Sequence, residues 1–308
     1  MDKETKAILQ RQQYRLVGEN SAVKICHWMR QKLLHNRPCY KEVFYGINSH
    51  RCLQFTPTLS QCNQNCIFCW RHQNYEETVQ FTDDDPEEIL EKAILAQQKL
   101  ISGFKGDERC DQDLWKEANE PNQVAISLAG EPTLYKHLGE FIALCKKRNM
   151  TTFLVTNGTL PKVLENLDPL PDQLYVTVAA PNEDIYKRLC VPFIKNGWQQ
   201  LQKTLELLPS LDTRTVIRHT LVKEWNMVDI PGYARLDKLA NPLFIEPKAY
   251  VFVGSSRLRM TIGNMPSYDE VEAFSRELAT ELGYHFADSQ KPSRVCLLSR
   301  EKEYSRFN

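Results

Sequence analysis

The sequence predicts an α/β fold, an open and partial barrel of six β/α units preceded by a mainly helical N-terminal extension. Six short runs of apolar or β-branched residues are bounded by polar residues or Pro, the signature of strands. Helical patterns separate most of them, and strands alternating with helices imply a parallel sheet with right-handed crossovers. A chain of 308 residues has room for one such domain, and six units leave the ring open where eight would close it.

Residues 1–50 form the extension and 51–308 the barrel with its C-terminal elements. Lys plus Arg and Asp plus Glu balance at 39 each, yet residues 1–52 hold ten basic against four acidic side chains, with His27, His35 and His50 in addition. The entry segment is therefore basic. The first strand falls at 53–56. Residues 81–121 then hold twelve acidic and five basic side chains and read as a solvated stretch with a loop over 103–120. Within it a helix starts at Asp85, Pro86, Glu87 and Glu88, a capping Asp with Pro in the first turn and acids facing the dipole. Ile89, Leu90, Ala93, Ile94 and Leu100 continue it at helical spacing. The remaining strands are expected at 124–128, 152–155, 174–178, 215–221 and 243–245. Helices are expected at 135–148, 183–189, 197–208, 232–239 and 267–282. Lys146, Lys147 and Arg148 close the first of these, where cations favour the helix dipole.

Hydrophobic content of 42% and charged content of 25% are ordinary for a soluble globular protein, and no apolar run reaches a bilayer span. The N-terminus mixes both charges and leads into no export signal, so no membrane association and a cytoplasmic location are expected.

Ten cysteines occur, and Cys26, Cys39, Cys52, Cys62, Cys66 and Cys69 crowd into 44 residues. Without an export signal, metal ligation is favoured over disulfides. Cys110, Cys145, Cys190 and Cys296 are scattered and read as ordinary buried thiols, Cys296 in a short apolar strand. Cys62, Cys66 and Cys69 are spaced by three and two residues directly after the first strand run. Structural zinc prefers four closed protein ligands, whereas three compact thiolates leave one iron of a cubane open for a substrate or cofactor. Cys26, Cys39 and Cys52, each separated by twelve residues, match no common zinc module and suggest a second open cluster.

The C-x3-C-x2-C pattern, with Phe68 before its last Cys, resembles the radical S-adenosylmethionine (SAM) superfamily, in which the cofactor's amino and carboxyl groups chelate the open iron. The fold expected is thus a partial barrel of radical SAM type. Ala129, Gly130, Glu131 and Pro132 resemble that superfamily's Gly-Gly-Glu-Pro element, which contacts the methionyl amino group, with Ala in place of the first Gly. Asn157, in Thr156-Asn157-Gly158, is a candidate for the ribose or carboxylate, and Phe68 for the adenine; a plain turn and core packing are the bland readings. Together with the upstream triad, the chain resembles the archaeal tRNA 4-demethylwyosine synthases of wybutosine biosynthesis. Lys41, the run from Leu128 to Tyr135, the late Glu246-Pro247-Lys248-Ala249-Tyr250-Val251 segment and Gly254-Ser255-Ser256-Arg257 carry that likeness.

The resemblance implies two [4Fe-4S] clusters, SAM, a tRNA-Phe containing N1-methylguanosine beside its anticodon, and pyruvate as a two-carbon donor. It implies an AdoMet-dependent carbon–carbon lyase in which a SAM-derived radical activates the N-methyl carbon and the auxiliary cluster and Lys41 hold pyruvate, Lys41 as a Schiff base. Eukaryotic relatives carry a flavodoxin-like domain that this sequence lacks, so an external donor of flavodoxin or ferredoxin type is expected. Candidates for tRNA phosphates are Lys24, Arg30, Lys32, Arg37, Lys248, Arg257 and Arg259, and for base stacking Trp28, Trp70 and Tyr45. Competing readings are a radical SAM enzyme acting on a peptide or small molecule, and a zinc-stabilised RNA-binding protein.

Overall fold

The computed structural model describes residues 3–73 and 83–307. Met1 and Asp2 of the extension, Phe81 and Thr82 of the acidic stretch, and Asn308 lie outside them.

The extension contributes α1 (Lys3–Arg11), β1 (Arg15–Leu16), β2 (Ala22–Val23), α2 (His27–His35) and α3 (Tyr40–Tyr45). The core follows as β3 (Cys52–Thr56), α4 (Pro86–Ile101), α5 (Gln112–Ala118), β4 (Gln123–Ile126), α6 (Leu138–Lys147), β5 (Thr151–Thr156), α7 (Pro161–Glu165), β6 (Gln173–Thr177), α8 (Glu183–Cys190), α9 (Gly197–Leu207), β7 (Arg214–Leu221), α10 (Ile230–Ala240) and β8 (Phe244–Ala249). The chain ends with α11 (Tyr268–Leu282), β9 (His285–Gln290) and β10 (Val295–Ser299).

The ten strands of the described residues join one unclosed sheet in the order β1-β2-β3-β4-β5-β6-β7-β8-β10-β9. The six expected strands, β3 to β8, pair in parallel with their neighbours. Antiparallel strands extend both edges: β2 pairs with β3 on one side and β10 with β8 on the other. Thus the largely helical extension also supplies two sheet strands, too short to register as apolar runs.

Strand alternation separates two apolar layers. Leu154, Leu174, Val176, Ile217, Ile245 and Leu298 point outward into the main core beneath the crossover helices, where Phe55 stacks on Phe141 of α6 at 4.6 Å. Phe153, Tyr175, Val216, Phe244 and Leu297 point into the barrel and pack against Tyr40, Phe44, Tyr45 and Ile47. The floor of the barrel is therefore filled by α3. The C-terminal tail seals it from below: the Phe307 N–H donates to the Tyr45 carbonyl at 2.8 Å and the Phe307 ring meets Phe153 edge-on.

The helix starting at Pro86 is capped as expected, with the Glu88 N–H donating to Asp85. The 103–120 segment departs from the expected loop. It holds a 3-10 turn, Ser102–Gly106, and α5, capped by Asp111, which accepts from the Asp113 and Leu114 N–H groups. A charged seven-residue helix carries too little apolar periodicity to stand out in the sequence. Among the described residues no helix is long and apolar enough to cross a membrane.

Candidate functional site

Ligand sites of parallel sheets form beyond the carboxyl ends of the strands, and the loop leaving β3 carries Cys62, Cys66 and Cys69 there. A second segment straps this loop in place. Asn65 and Ile67 donate backbone N–H groups to the Val191 and Leu189 carbonyls, Phe193 donates to the Asn63 carbonyl, and Gln64 bridges Pro192. The Gln64 side chain reaches the Tyr186 hydroxyl at 2.9 Å, and the Cys66 thiol donates to Gln64 Oε1 at 3.2 Å. Cys190, read from sequence as an ordinary buried thiol, is buried but lies beside Cys66. Their hydrogen bond, then burial, pushes the Cys66 thiol well up. Burial likewise raises Cys69 to about 11.

The loop after β4 closes on the same place. Gly130 adopts φ +71°, and a Cβ there would fall 1.7 Å from the Thr58 carbonyl oxygen, so this position admits only glycine. Ala129 instead buries its methyl group with Leu9, Tyr14 and Leu59, which accounts for the departure from a double glycine. Glu131 is buried and accepts from the Thr133 N–H and hydroxyl, the Thr156 hydroxyl and the Asn157 N–H. Burial outweighs these bonds and raises its carboxyl pKa. Asn157 Nδ2 donates to Asn63 Oδ1 at 2.7 Å, tying the end of β5 to the cysteine loop. Phe68 is partly buried against the main core. Of the expected SAM-contact residues, Gly130, Glu131 and Asn157 thus surround the cysteine loop, and Phe68 belongs to it.

Arg71, unremarked in the sequence, is buried next to it. Its guanidinium carbon lies 3.3 Å from the Trp70 ring centroid and Nη1 donates to the Tyr14 hydroxyl at 3.1 Å. It interacts electrostatically with one thiol of each set, Cys69 and Cys26.

The second set is assembled by the extension. Cys26 precedes α2, Cys39 precedes α3 and Cys52 begins β3. Cys39 and Cys52 both interact with Cys26 and Lys41, and burial first, then Cys26, pushes each thiol up to about 12. Glu42 fastens this corner: it accepts from Lys32 Nζ at 2.8 Å and from the Ser49 N–H at 3.0 Å. All six cysteines are free thiols. Among the described residues no three His, Cys, Asp or Glu side chains are gathered tightly enough to hold a single metal ion.

Lys41 points into the barrel. Its side chain is buried at 8% exposure, and Nζ lies 4.5 Å from the Phe153 and 4.4 Å from the Tyr175 ring centroid. No carboxylate pairs with it among the described residues. Burial, then the Arg218 charge, lowers its pKa and favours the neutral, nucleophilic amine. Arg218 donates through Nε and Nη2 to Glu246, which also accepts from the Tyr45 hydroxyl at 2.7 Å. Arg218 escaped the sequence reading, and so did the interior placement of Glu246 and Lys248, which entered it only as part of a run that carries the family likeness. Alternation was the available signal: Val216, Arg218 and Thr220, like Phe244, Glu246 and Lys248, occupy one face of their strands.

The expected tRNA-facing groups scatter. Lys32 is engaged by Glu42, Arg259 donates to the Ile67 and Cys69 carbonyls, Tyr45 is core, and Lys248 turns inward to the Ser293 carbonyl. Lys24 lies over the Tyr14 and Trp70 rings. Arg30, Arg37 and Arg257 are exposed, Trp28 is partly buried, and Trp70 is 39% exposed. Lys146 and Arg148 pair with Asp172 and Glu91, in keeping with a structural role.

Residues 56–236 match the Radical SAM superfamily, and residues 239–300 match a family described as Wyosine base formation. The S-adenosyl-L-methionine-dependent tRNA 4-demethylwyosine synthase of Pyrococcus abyssi is 47% identical over 98% of this chain and 90% of its own. A solved TYW1 structure with a lysine-pyruvate adduct bound superimposes with a TM-score of 0.90 at 38% identity, covering 98% of this chain and 97% of that one. An archaeal TYW1 crystal structure gives 0.83 at 35% identity, covering 100% and 99%.

Proposed function

Because the chain belongs to the S-adenosylmethionine-dependent tRNA 4-demethylwyosine synthases of the radical SAM superfamily, we propose that it condenses N1-methylguanosine beside the anticodon of tRNA-Phe with pyruvate to form 4-demethylwyosine, acting as a carbon–carbon lyase. The buried, unpaired amine of Lys41 beside the second cysteine set carries this reading. A 2-oxo acid needs such an amine to be held as a Schiff base, and the similar TYW1 structure contains a lysine-pyruvate adduct.

Cys62, Cys66 and Cys69 would hold the SAM-binding [4Fe-4S] cluster, and Cys26, Cys39 and Cys52 an auxiliary one. The donor chemistry fits. Buried thiols with raised pKa values lose their protons when cationic iron enters, and a cubane takes each thiolate on a different iron, so the sulfurs need not converge on one ion. When bound, the first cluster and SAM supply the hydrogen-abstracting radical that no side chain can provide.

The chain's own residues do the rest. Gly130 lets the β4 loop approach the cysteine loop, Glu131 fixes the ends of β4 and β5 together, and Asn157 holds the cysteine loop through Asn63. Lys41 attacks the pyruvate ketone; its nitrogen forms the new bond to carbon and the ketone oxygen leaves as water. The Phe153 and Tyr175 rings confine the amine. The tRNA approaches from the strand ends, with Lys24, Arg30, Arg37 and Arg257 as phosphate partners and Trp70 as a stacking surface for the target base. Reducing electrons come from a flavodoxin- or ferredoxin-type donor.

The test incubates the iron-loaded enzyme with SAM, reductant, pyruvate and tRNA-Phe containing N1-methylguanosine, and identifies the nucleoside by mass spectrometry. The tricyclic base is expected to form only with pyruvate. Lys41→Ala should still cleave SAM yet make no tricyclic product; undiminished product from that variant removes Lys41 from the mechanism.

A further inference from the structure

Cys190 has no role in the mechanism, yet the fold sets it directly opposite Cys66. The cysteine loop and the strap over residues 189–193 run antiparallel, and successive contacts fix their register. The Phe193 N–H donates to the Asn63 carbonyl, Gln64 bridges Pro192, the Asn65 N–H donates to the Val191 carbonyl and the Ile67 N–H to the Leu189 carbonyl, each hydrogen bond at 3.0 Å. Each step forward along the loop is one step back along the strap, so the residue facing Cys66 is Cys190. The hydrogen bonds join 63 with 193, 65 with 191 and 67 with 189, which leaves 64 with 192 and 66 with 190 as the pairs between them.

Pairs between the hydrogen bonds of an antiparallel ladder bring their Cα atoms to about 4.5 Å, with the side chains at their closest. A disulfide spans Cα atoms about 4.4–6.8 Å apart, so this register suits one without rearrangement of the backbone. The thiols also meet: a hydrogen bond joins Cys66 to Cys190. Cys190 closes α8 and is buried in the main core, against which half-buried Cys66 packs. Cys62 and Cys69 share the loop with Cys66, and neither lies on the segment that faces it.

We propose that Cys190 is the resolving thiol of Cys66: in the cluster-free chain a peroxide converts the pair to a disulfide, which a thiol reductant reopens. The Cys66 sulfur takes one oxygen from hydrogen peroxide as the O–O bond breaks, giving a sulfenic acid and one water. The Cys190 sulfur then attacks the Cys66 sulfur; the S–S bond forms, the S–O bond breaks, and the hydroxyl leaves with the Cys190 proton as a second water. Two thiols are thereby oxidised by two electrons in all, and one peroxide is reduced to two waters. Without a facing thiol the sulfenic acid proceeds to sulfinic acid, which thiols do not reduce. Cys190 thus keeps the central residue of the first cysteine set recoverable. This protective role rests on the reading of Cys62, Cys66 and Cys69 as a cluster site; the pairing itself does not.

The experiment treats the cluster-free full chain with hydrogen peroxide, alkylates the remaining thiols and maps the unreduced peptides by mass spectrometry. A Cys66–Cys190 crosslink is expected. A second portion is reduced with dithiothreitol and then reconstituted anaerobically with iron and sulfide. Wild type should recover roughly eight irons per chain, whereas Cys190→Ala should stop at roughly four, with Cys66 found as sulfinic acid. Cys190→Ser, which keeps the volume of the site, should behave as Cys190→Ala, and both variants should load as much iron as wild type when never oxidised. A map that joins Cys66 to Cys62 or Cys69, or leaves it a free thiol, overturns the proposal. So does a Cys190→Ala protein whose iron recovers as fully as wild type's. If both unoxidised variants load less iron than wild type, Cys190 builds the site rather than guards it, and the proposal falls. Unoxidised wild type that takes up no iron overturns the cluster reading and the protective role with it, while the peptide map still decides the pairing.

Discussion

At the scale of single residues, neighbouring positions of one motif carry opposite demands. Gly130 needs the left-handed region and a missing side chain at once, whereas Ala129 has a conventional backbone and a packed methyl group. Gly130→Ala is expected to cost at least about 2 kcal/mol, the left-handed penalty plus a forced shift of the loop. It should also abolish SAM binding, both measurable by chemical denaturation and by equilibrium dialysis. Ala129→Gly should cost no more than about 1 kcal/mol and leave SAM binding intact. The cysteines were legible because their spacing is local. Lys41 was legible through family likeness alone, since an isolated lysine in sequence is a surface residue; its burial depends on Phe153 and Tyr175, more than a hundred residues away. The role of Arg218 and of Glu246 was hidden for the same reason, since their partners lie far along the chain and meet them only where the barrel curls inward.

At the scale of elements, the cysteine loop has no regular structure of its own and is held by the strap between α8 and α9. Val191, at its centre, has φ +44°, a conformation that a β-branched residue enters only under constraint. The Leu189 and Val191 carbonyls must face Asn65 and Ile67, and the left-handed turn permits it. Val191→Gly should therefore raise stability by about 1 kcal/mol, with cluster binding unchanged. A fall in the denaturation midpoint would show that the valine side chain, not its backbone, secures the strap. None of this pairing was visible in sequence, because segments so far apart share no periodic signal. The six barrel strands were visible because each carries a short run of apolar or β-branched residues. β9 was not: its alternating, partly exposed residues at the sheet edge lack an apolar run.

For the whole molecule, the extension acts as the floor of the catalytic chamber. α3 inserts Tyr40, Phe44 and Tyr45 among the inward residues of β5 to β8, and that insertion sets where Cys39 and Lys41 stand. Packing of the interior and assembly of the second thiol set are thus one event, whereas Cys62, Cys66 and Cys69 are fixed independently by the strap and the β4 loop. Phe44 is fully buried and belongs to the inward layer, whereas Cys66 and Phe68 of the first loop pack against the main core. Phe44→Ala should cost about 3–5 kcal/mol through the cavity it leaves. Iron in the reconstituted protein should fall from roughly eight per chain toward roughly four, the loss of one cubane. SAM cleavage should persist, while Lys41 labelling by pyruvate and tricyclic product should both be lost. Iron counts and SAM cleavage measured on the same preparation separate this from general unfolding, which removes both clusters together. Full retention of iron and pyruvate labelling would mean that the second thiol set organises itself without α3, and the floor would then be packing alone.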